Sequence, residues 1–207
     1  MENTTLRVAP LIVEALEKAQ SLPHKINIKV NETENLFGDV ESSGAIFSSE
    51  EDPLYRYMLW RSWSPDLPVL VAVMLNPSTA DHSTDDRTIE TLIARAKATG
   101  HGSILVINLF AWRDTSPAEM KKAEDPIGPA NDEIIDIILE QEGYTFLCAW
   151  GAHGCHMDRS EKVLCKIIKR GKTPVALKIS KTGEPEHPLY KKLSESWFPL
   201  LRSGATN

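Results

Sequence analysis

Leu67–Ala80, with the sequence LPVLVAVMLNPSTA, contains an apolar run that stops at Asn76. Val71, Val73 and their neighbours form a short, β-branched-rich segment bounded by prolines, which is typical of a strand buried on both faces. Polar side chains therefore begin where this strand leaves its sheet. A strand of this kind lies inside a sheet, so the rest of the fold is organised around it.

Three further apolar runs repeat this design. They cover residues 103–110, 144–150 and 174–180, and their polar tails are AWRDT, GAHG and KTGEPEHPLY, respectively. In an open parallel sheet, ligands bind outside the carboxyl ends of the strands. We therefore predict that the four strands form one central, mostly parallel sheet and that their polar tails share one crevice.

Helical patterns separate the four strands. Apolar residues recur at helical spacing in residues 84–100, 131–138 and 155–170. The first of these segments begins at a candidate N-cap, Thr84 or Asp85, and ends at a glycine, as helices often do. Strand and helix thus alternate along the chain, which indicates a doubly wound α/β fold with right-handed crossovers.

The N-terminal part of the chain has a different pattern. Residues 3–22 form a predicted amphipathic helix, residues 25–30 alternate like a strand, and the acidic, turn-rich residues 31–44 indicate a loop. Residues 44–63 alternate apolar and polar side chains around a turn, which predicts a β-hairpin flanking the main sheet. The chain accordingly divides into a helix-and-loop extension over residues 1–43 and a single α/β domain over residues 44–207.

Composition argues against several classes of protein. No apolar stretch approaches the roughly 20 residues of a membrane helix, and the N-terminus lacks the basic-then-apolar pattern of a signal peptide. We therefore expect a cytoplasmic protein without a membrane partner. Three cysteines argue against a disulfide framework and are too few for a four-thiolate iron–sulfur cluster. The histidines near Cys155 lack zinc spacing, so neither a metal nor another cofactor is predicted.

Charge is distributed unevenly along the chain. Residues 159–192 carry ten lysines and arginines against three glutamates, a local charge of +7 in a chain whose net charge is −6. The remainder therefore carries −13. Such asymmetry predicts a basic face for phosphates, in which Lys181, Lys191 and Lys192 are candidate contacts. The alternative is a solvated, lysine-rich helix without a nucleic-acid partner.

The polar tails resemble a known superfamily. MLNPST resembles the first motif of the uracil-DNA glycosylase superfamily, in which Asp-Pro or Asn-Pro ends the first core strand, and SILVINLF, FLCAWGAHG and EHPLY resemble its later motifs in the same order. Together, MLNPSTAD, INLFAWR, AWGAHG and HPLY are closer still to a bacterial and phage domain-of-unknown-function family, number 1643. The similarity covers residues 44–195. It implies a three-layer αβα fold in which the four strands take the spatial order second, first, third, fourth.

The resemblance also assigns roles to three polar residues. Asn76 matches the position that orients or activates the attacking water, Asn108 the amide that reads the base edge, and His187 the histidine that donates a hydrogen bond to the departing base. A carboxylate in place of Asn76 would stabilise a sugar cation by about 4 kcal/mol at a distance of about 4 Å and an effective dielectric of about 20. The protein should therefore be slow on ordinary uridine unless another carboxylate contributes. The candidates for that carboxylate are Asp81, Asp85 and Asp86.

Further candidates surround these three residues. The polar loop 76–86 feeds a helix N-terminus, where phosphate or carboxylate binds readily, and Arg87 lies on the first turn of that helix. An ion pair of Arg87 with Asp81 or Asp85 is the alternative. The candidate substrate-binding residues are Ser78, Asn108, Phe110, Arg113, Trp150 and Gly151, and the candidate phosphate-binding residues are Arg87, Lys181, Lys191 and Lys192.

Three functional hypotheses follow. The leading one is a glycosylase-like hydrolase that cleaves an N-glycosidic bond and releases a nucleobase, modified bases included, from DNA or a nucleotide. Its rival is a binding module that has kept the base pocket but lost hydrolysis. A third hypothesis assigns the pocket to other nucleotide or modified-base chemistry. In all three, the expected partner is a nucleic acid or a nucleotide.

Overall fold

The computed structural model describes residues 8–34, 40–51, 53–78 and 80–200. These residues form one eight-stranded mixed sheet with the strand order β1-β2-β3-β5-β4-β6-β7-β8. The strands are β1 Asn27–Glu34, β2 Val40–Phe47, β3 Arg56–Ser62, β4 Val69–Met74, β5 Ser103–Asn108, β6 Tyr144–Cys148, β7 Val175–Ala176 and β8 Phe198–Pro199.

The predicted central, mostly parallel four-stranded sheet is wrong. Among the described residues, four strand pairings are antiparallel and three are parallel, and all belong to the single large sheet. Within it, β5, β4, β6 and β7 are neighbours in that order and are mutually parallel. The difference arises because β3 pairs antiparallel with β5 and is buried over its whole length. The hairpin of β2 and β3 therefore continues the sheet instead of flanking it.

The N-terminal edge of the sheet is also more regular than its sequence indicates. β1 and β2 pair antiparallel from Asn27↔Phe47 to Glu34↔Val40. The loop predicted over residues 31–44 is therefore wrong for residues 31–34 and 40–44, while residues 35–39 lie outside the described part. β1 lies at the edge, where its polar side chains remain half-buried or exposed. Backbone pairing with β2 holds it in place, which hydrophobic periodicity does not reveal.

Helices cover both faces of the parallel strands. Alternate residues of β4, Val69, Val71 and Val73, pack with α1, α4 and α5 on one face, and the residues between them pack with α2 on the other. Burial of each such aliphatic side chain contributes roughly 1.5–3 kcal/mol. The helices are α1 Pro10–Gln20, α2 Arg87–Ala98, α3 Pro117–Met120, α4 Asn131–Leu139 and α5 Arg159–Lys169.

A β-bulge changes the direction of the first side chain of β3. Ile46 pairs with Met58 but Phe47 pairs with Arg56, so Tyr57 is an extra residue in β3. Tyr57 and Met58 consequently both pack on the face of α1, α4 and α5. Arg56 instead shares the side of Phe47, whose core is that of α2. Bulges re-aim side chains in this way, often next to functional sites.

Candidate functional site

A cavity of about 360 Å³ lies at the carboxyl ends of β4, β5 and β6, on the face covered by α2. Met74, Val106 and Ile89 supply apolar lining. Its size is within the range of roughly 300–1,000 Å³ that is usual for small-molecule sites. The residues predicted from the sequence that line it are Asn76, Ser78, Asp86, Asn108, Trp150, Gly151 and His187.

Asn108 is the last residue of β5 and lines the cavity. Its side chain is 1% exposed, and its Nδ2 has no hydrogen-bond partner among the described residues. The Asn108 backbone carbonyl accepts a hydrogen bond from Asn131 Nδ2 at 3.1 Å, which fixes the end of the strand. An unpaired buried donor costs about 1–3 kcal/mol. A ligand with an acceptor at this position would remove that cost.

Asn76 follows β4, and its amide is held by the neighbouring loop. Its Nδ2 donates to the backbone carbonyls of Asp114 (2.8 Å) and Pro77 (3.2 Å). Its Oδ1 accepts no hydrogen bond from a described residue. The side chain therefore presents one acceptor oxygen, which can orient a water molecule but cannot take its proton.

His187 immediately precedes a 3₁₀ turn, Pro188–Tyr190, and is half-buried. Its Nδ1 accepts a hydrogen bond from the Leu189 backbone amide at 3.2 Å. The neutral ring must then carry its proton on Nε2. Burial lowers the pKa of His187, although the charge of Asp86 opposes this effect. The residue is consequently a neutral hydrogen-bond donor at neutral pH.

Asp86 is an ionised carboxylate that lines the cavity, as Asp114 also does. It caps α2, since its Oδ1 accepts from the backbone amides of Thr88 (2.9 Å) and Ile89 (3.0 Å), and its Oδ2 accepts from the Ser78 hydroxyl. Burial alone would raise the pKa of Asp86. The hydrogen bonds and the charge of Arg56 outweigh burial, so that the pKa lies below its usual value. The N-cap is thus Asp86, one residue beyond the predicted pair.

The other two candidate carboxylates lie outside the cavity. Asp81 accepts hydrogen bonds from the backbone amides of Ser83 (2.8 Å) and Thr84 (2.7 Å), which shapes the loop before α2. Asp85 pairs with Arg61 at 2.7 Å and lines a second cavity of about 280 Å³ near β1 and β2. Among the three candidates, only Asp86 shares the main cavity with Asn76.

Arg56 is a cavity residue that the sequence did not identify. Its side chain is 3% exposed, and Nη1 donates to the Ala80 carbonyl, while Nε has no partner among the described residues. Burial and the charge of Arg113 lower the pKa of Arg56 to about 9, against the opposing effect of Asp86. It therefore remains charged at neutral pH. One feature of the sequence could have identified Arg56. It is a charged residue at a position where the alternation of the strand predicts an apolar, buried side chain.

Trp150 and Gly151 form one wall of the cavity after β6. Trp150 is 1% exposed, and its Nε1 donates to Glu184 Oε2 at 2.6 Å. Gly151 has φ 73° and ψ −177°, a backbone conformation that residues other than glycine rarely adopt. A Cβ atom on Gly154 would lie 2.1 Å from the Trp150 ring, so the loop can pack against the indole only with glycine there.

Two predicted binding residues have other roles. Phe110 is fully buried on the face of α4 and α5, where its ring centroid lies 5.5 Å from that of His156. Arg113 donates to the Pro53 carbonyl at 3.1 Å and lies over the Phe47 ring. Neither lines the cavity. The same is true of the candidate phosphate-binding residues Arg87, Lys181, Lys191 and Lys192.

Most cations of the basic segment 159–192 have acidic partners. The acidic residues of and near α4 account for several of these pairs, which favours a solvated, ion-paired surface over a phosphate-binding face for residues 159–172. The paired residues are Arg159 and Lys166 with Asp132, Lys166 also with Asp136, Arg170 with Glu140, Lys172 with Glu142, and Lys178 and Lys191 with Glu186.

Arg95 holds the segment after His187 against α2. It lies on α2 and is 1% exposed. Its guanidinium donates to the backbone carbonyls of Lys192 (2.9 Å), Leu193 (3.4 Å) and Glu195 (3.4 Å). The segment that carries His187 is therefore fixed to the same helix that Asp86 caps.

The described part of the chain contains neither a membrane-spanning helix nor a cluster of metal ligands. None of its helices combines the length and the apolar character that crossing a membrane requires. Its histidine, cysteine and acidic side chains nowhere form a group of three or more that could hold a metal ion. The residues that line the candidate site offer amides, the imidazoles of His153 and His187, the carboxylates of Asp86 and Asp114, and the guanidinium of Arg56.

The fold is thus a mixed α/β sheet, and its candidate site is a polar cavity at the carboxyl ends of the parallel strands. The chain belongs to the family described as "Protein of unknown function (DUF1643)", whose model matches residues 56–189. The residues that line the cavity all fall within the matched range. No curated protein and no solved structure matches the chain.

Proposed function

We propose that this protein is a glycosylase-like hydrolase that cleaves an N-glycosidic bond and releases a nucleobase from DNA or a nucleotide. One observation carries the proposal: the unpaired, buried amide of Asn108 shares a cavity with Asn76 and with the neutral imidazole of His187. An amide offers a donor and an acceptor on adjacent atoms, which matches the edge of a base with a keto group next to N–H.

The reaction needs two kinds of assistance, and the cavity offers both. When the C1′–N bond breaks, its electron pair leaves with the base, and the Nε2–H of His187 can donate a hydrogen bond to the base as negative charge develops. The sugar becomes a cation that water attacks at C1′, and the proton that this water loses passes through solvent to the departed base. Asn76 Oδ1 can hold that water, and the ionised Asp86 supplies negative charge to the cavity.

The resemblance to the uracil-DNA glycosylase superfamily supports the same proposal. The motifs that carry it contribute Asn76, Asn108, Trp150 and His187, and all four line one cavity although they are distant in sequence. Four weak motifs that meet in one cavity carry more weight than any one of them alone.

A binding module without hydrolysis is the second candidate, and one observation favours it. An amide, not a carboxylate, occupies position 76, and the Asp86 carboxylate already accepts hydrogen bonds from Ser78, Thr88 and Ile89. A carboxylate held by three donors is a weak base. In this alternative, Asn108 and His187 bind a base that is not released.

Released base, measured by mass spectrometry after incubation with single-stranded DNA and nucleosides carrying diverse modified bases, tests the proposal. We expect release by the wild type and faster release by Asn76→Asp, because the new carboxylate stabilises the sugar cation. Asn31→Asp makes the same charge change on β1, outside this cavity, and should leave the rate unchanged. Binding of a base without release by the wild type or by Asn76→Asp would overturn hydrolysis and leave the binding module.

A further inference from the structure

Arg56 has fewer partners than a buried cation requires. Its guanidinium has five N–H donors, yet its one hydrogen-bond acceptor among the described residues is the Ala80 carbonyl. Its Nε is buried without a partner, and the guanidinium makes no ion pair with any described carboxylate. Burying a charge without a paired and hydrogen-bonded partner is costly. The protein alone therefore leaves the charge of Arg56 incompletely compensated.

The position of Arg56 is built into the fold. The bulge at Tyr57 turns Arg56 onto the face of α2, where its side chain lines the cavity together with Asn108. Both residues are almost fully buried, and both have an unpaired donor, Nε and Nδ2 respectively. The cavity therefore has buried donors that lack acceptors.

The charges around Arg56 do not meet this need. Asp86 and Asp81 are close enough to raise the pKa of Arg56, but burial and the neighbouring cations Arg113 and Arg61 lower it more. Asp86 is also occupied by Ser78 and by the amides of α2. The missing partner is thus an anion with free acceptor oxygens, placed in the cavity.

We propose, building on the function proposed above, that the ligand carries an oxyanion, a carboxylate or a phosphate, at its buried end, bound by Arg56 beside Asn108. A guanidinium binds such groups through paired N–H···O hydrogen bonds. The substrate class is accordingly a compound whose nucleobase carries the anionic group, in preference to a neutral base or nucleoside.

Thermal unfolding in small anions tests the proposal without knowledge of the base. The wild type, Arg56→Met and Arg113→Met are each melted in sodium acetate, sodium phosphate or sodium chloride at equal ionic strength. Acetate or phosphate should raise the Tm of the wild type and of Arg113→Met by several degrees over chloride, and should not raise that of Arg56→Met. The anion that raises the Tm more, acetate or phosphate, indicates whether the anionic group of the ligand is a carboxylate or a phosphate. Arg113 is the matched control because it neighbours Arg56 without lining the cavity.

The outcomes are distinct from those of the base-release assay. Equal Tm values in all three salts, or an equal rise in Arg56→Met, would overturn the oxyanion proposal, and base release would still be decided by its own assay. Conversely, an Arg56-dependent rise without release of any base would retain an anion-binding cavity and remove the glycosylase. Arg56→Lys keeps the charge but not the paired geometry, and should retain part of the rise.

Discussion

Arg56 and Arg61 lie five residues apart on β3, and both are buried, but their hydrogen-bond partners differ. Arg61 is joined to Asp85 through Nε (2.8 Å) and Nη2 (2.7 Å), and it also donates to the carbonyls of Trp60 and Asp81, both at 2.8 Å. Among the described residues, the guanidinium of Arg56 donates to one carbonyl and its Nε is unpaired. The described residues therefore supply Arg61 with a full set of partners but leave Arg56 without one.

Under the proposals above, this difference gives two arginines of one strand different roles: Arg61 stabilises the fold, and Arg56 binds the ligand. The guanidinium of Arg61 stabilises the loop before α2 through hydrogen bonds to that loop, and these bonds occupy its donors. A buried guanidinium with few partners costs stability, and that cost is recovered when an anion binds. Substitutions in the Arg61 site should therefore affect folding, whereas those in the cavity of the Arg56 site should affect binding and activity.

His187→Ala should have the largest effect, and it acts on the cavity. If His187 assists the departing base as a general acid would, its loss lowers the rate by about 10²–10⁴. The free energy of unfolding should change little, because the imidazole makes one described hydrogen bond, to Leu189. Released base and urea unfolding measure the two quantities. His24→Ala, which removes a histidine paired with Glu133 far from the cavity, should keep the rate. A normal rate in His187→Ala would exclude this role.

Arg61→Met should have the next largest effect, on stability. It removes the guanidinium from Asp85 and from the carbonyls of Trp60, Asp81 and Thr84. Breaking a largely buried pair of this kind lowers the free energy of unfolding by about 3 kcal/mol. Urea denaturation measures the loss. An Arg61→Met variant as stable as the wild type would show that Arg61 does not stabilise the fold. The proposed difference between Arg61 and Arg56 would then be wrong.

Arg56→Met should have a small effect on the free energy of unfolding and, unlike Arg61→Met, should not lower it. It removes a poorly compensated buried charge, which is favourable, and one hydrogen bond to Ala80, which is unfavourable. We expect the free energy of unfolding to stay the same or to rise by about 1 kcal/mol in the absence of ligand. The same urea series as for Arg61→Met measures it. A loss as large as that of Arg61→Met would mean that both arginines are structural.

Asp86→Asn should produce the smallest effect, visible as a change in pH dependence. Hydrogen bonds to the carboxylate hold the pKa of Asp86 below its usual value in the fold, despite burial. Such a group stabilises the fold above its unfolded-state pKa, and this contribution is lost as the pH falls through the folded-state value. The wild type should therefore lose more stability than Asp86→Asn between about pH 5 and pH 2. Urea unfolding across this range, with Asp66→Asn on the surface as control, measures the difference. Parallel curves would contradict it.

The strand ends were the most informative part of the sequence. Asn76 and Asn108 each follow an apolar run, and such runs are recognisable because a strand buried on both faces has no polar residue to interrupt it. The order of the four parallel strands is the predicted one. The convergence of Asn76, Asn108 and His187 on one cavity follows from that order, since the carboxyl ends of parallel strands meet at one edge.

Two features escaped the sequence for physical reasons. The antiparallel extension of the sheet depends on the pairing of β3 with β5, a long-range contact that alternation in residues 56–62 does not specify. Arg56 escaped because alternation assigns it to the face of Met58, and one extra residue at Tyr57 moves it to the other face. A bulge leaves almost no trace in hydrophobic periodicity, although here it decides which residue reaches the cavity.

The hold of Arg95 on residues 192–195 has a consequence for how the protein is made. The chain emerges from the ribosome with its N-terminus first, and a domain generally folds as a unit. Once β6 has left the ribosome, the chain already contains Asn76, Asp86 and Asn108, but the wall formed by His187 is still to come. The segment after that wall is held to α2 when Arg95 donates to the backbone carbonyls of Lys192 and Glu195. A chain shortened to end before residue 187 would therefore contain Asn76, Asp86 and Asn108 but lack the His187 wall of the cavity.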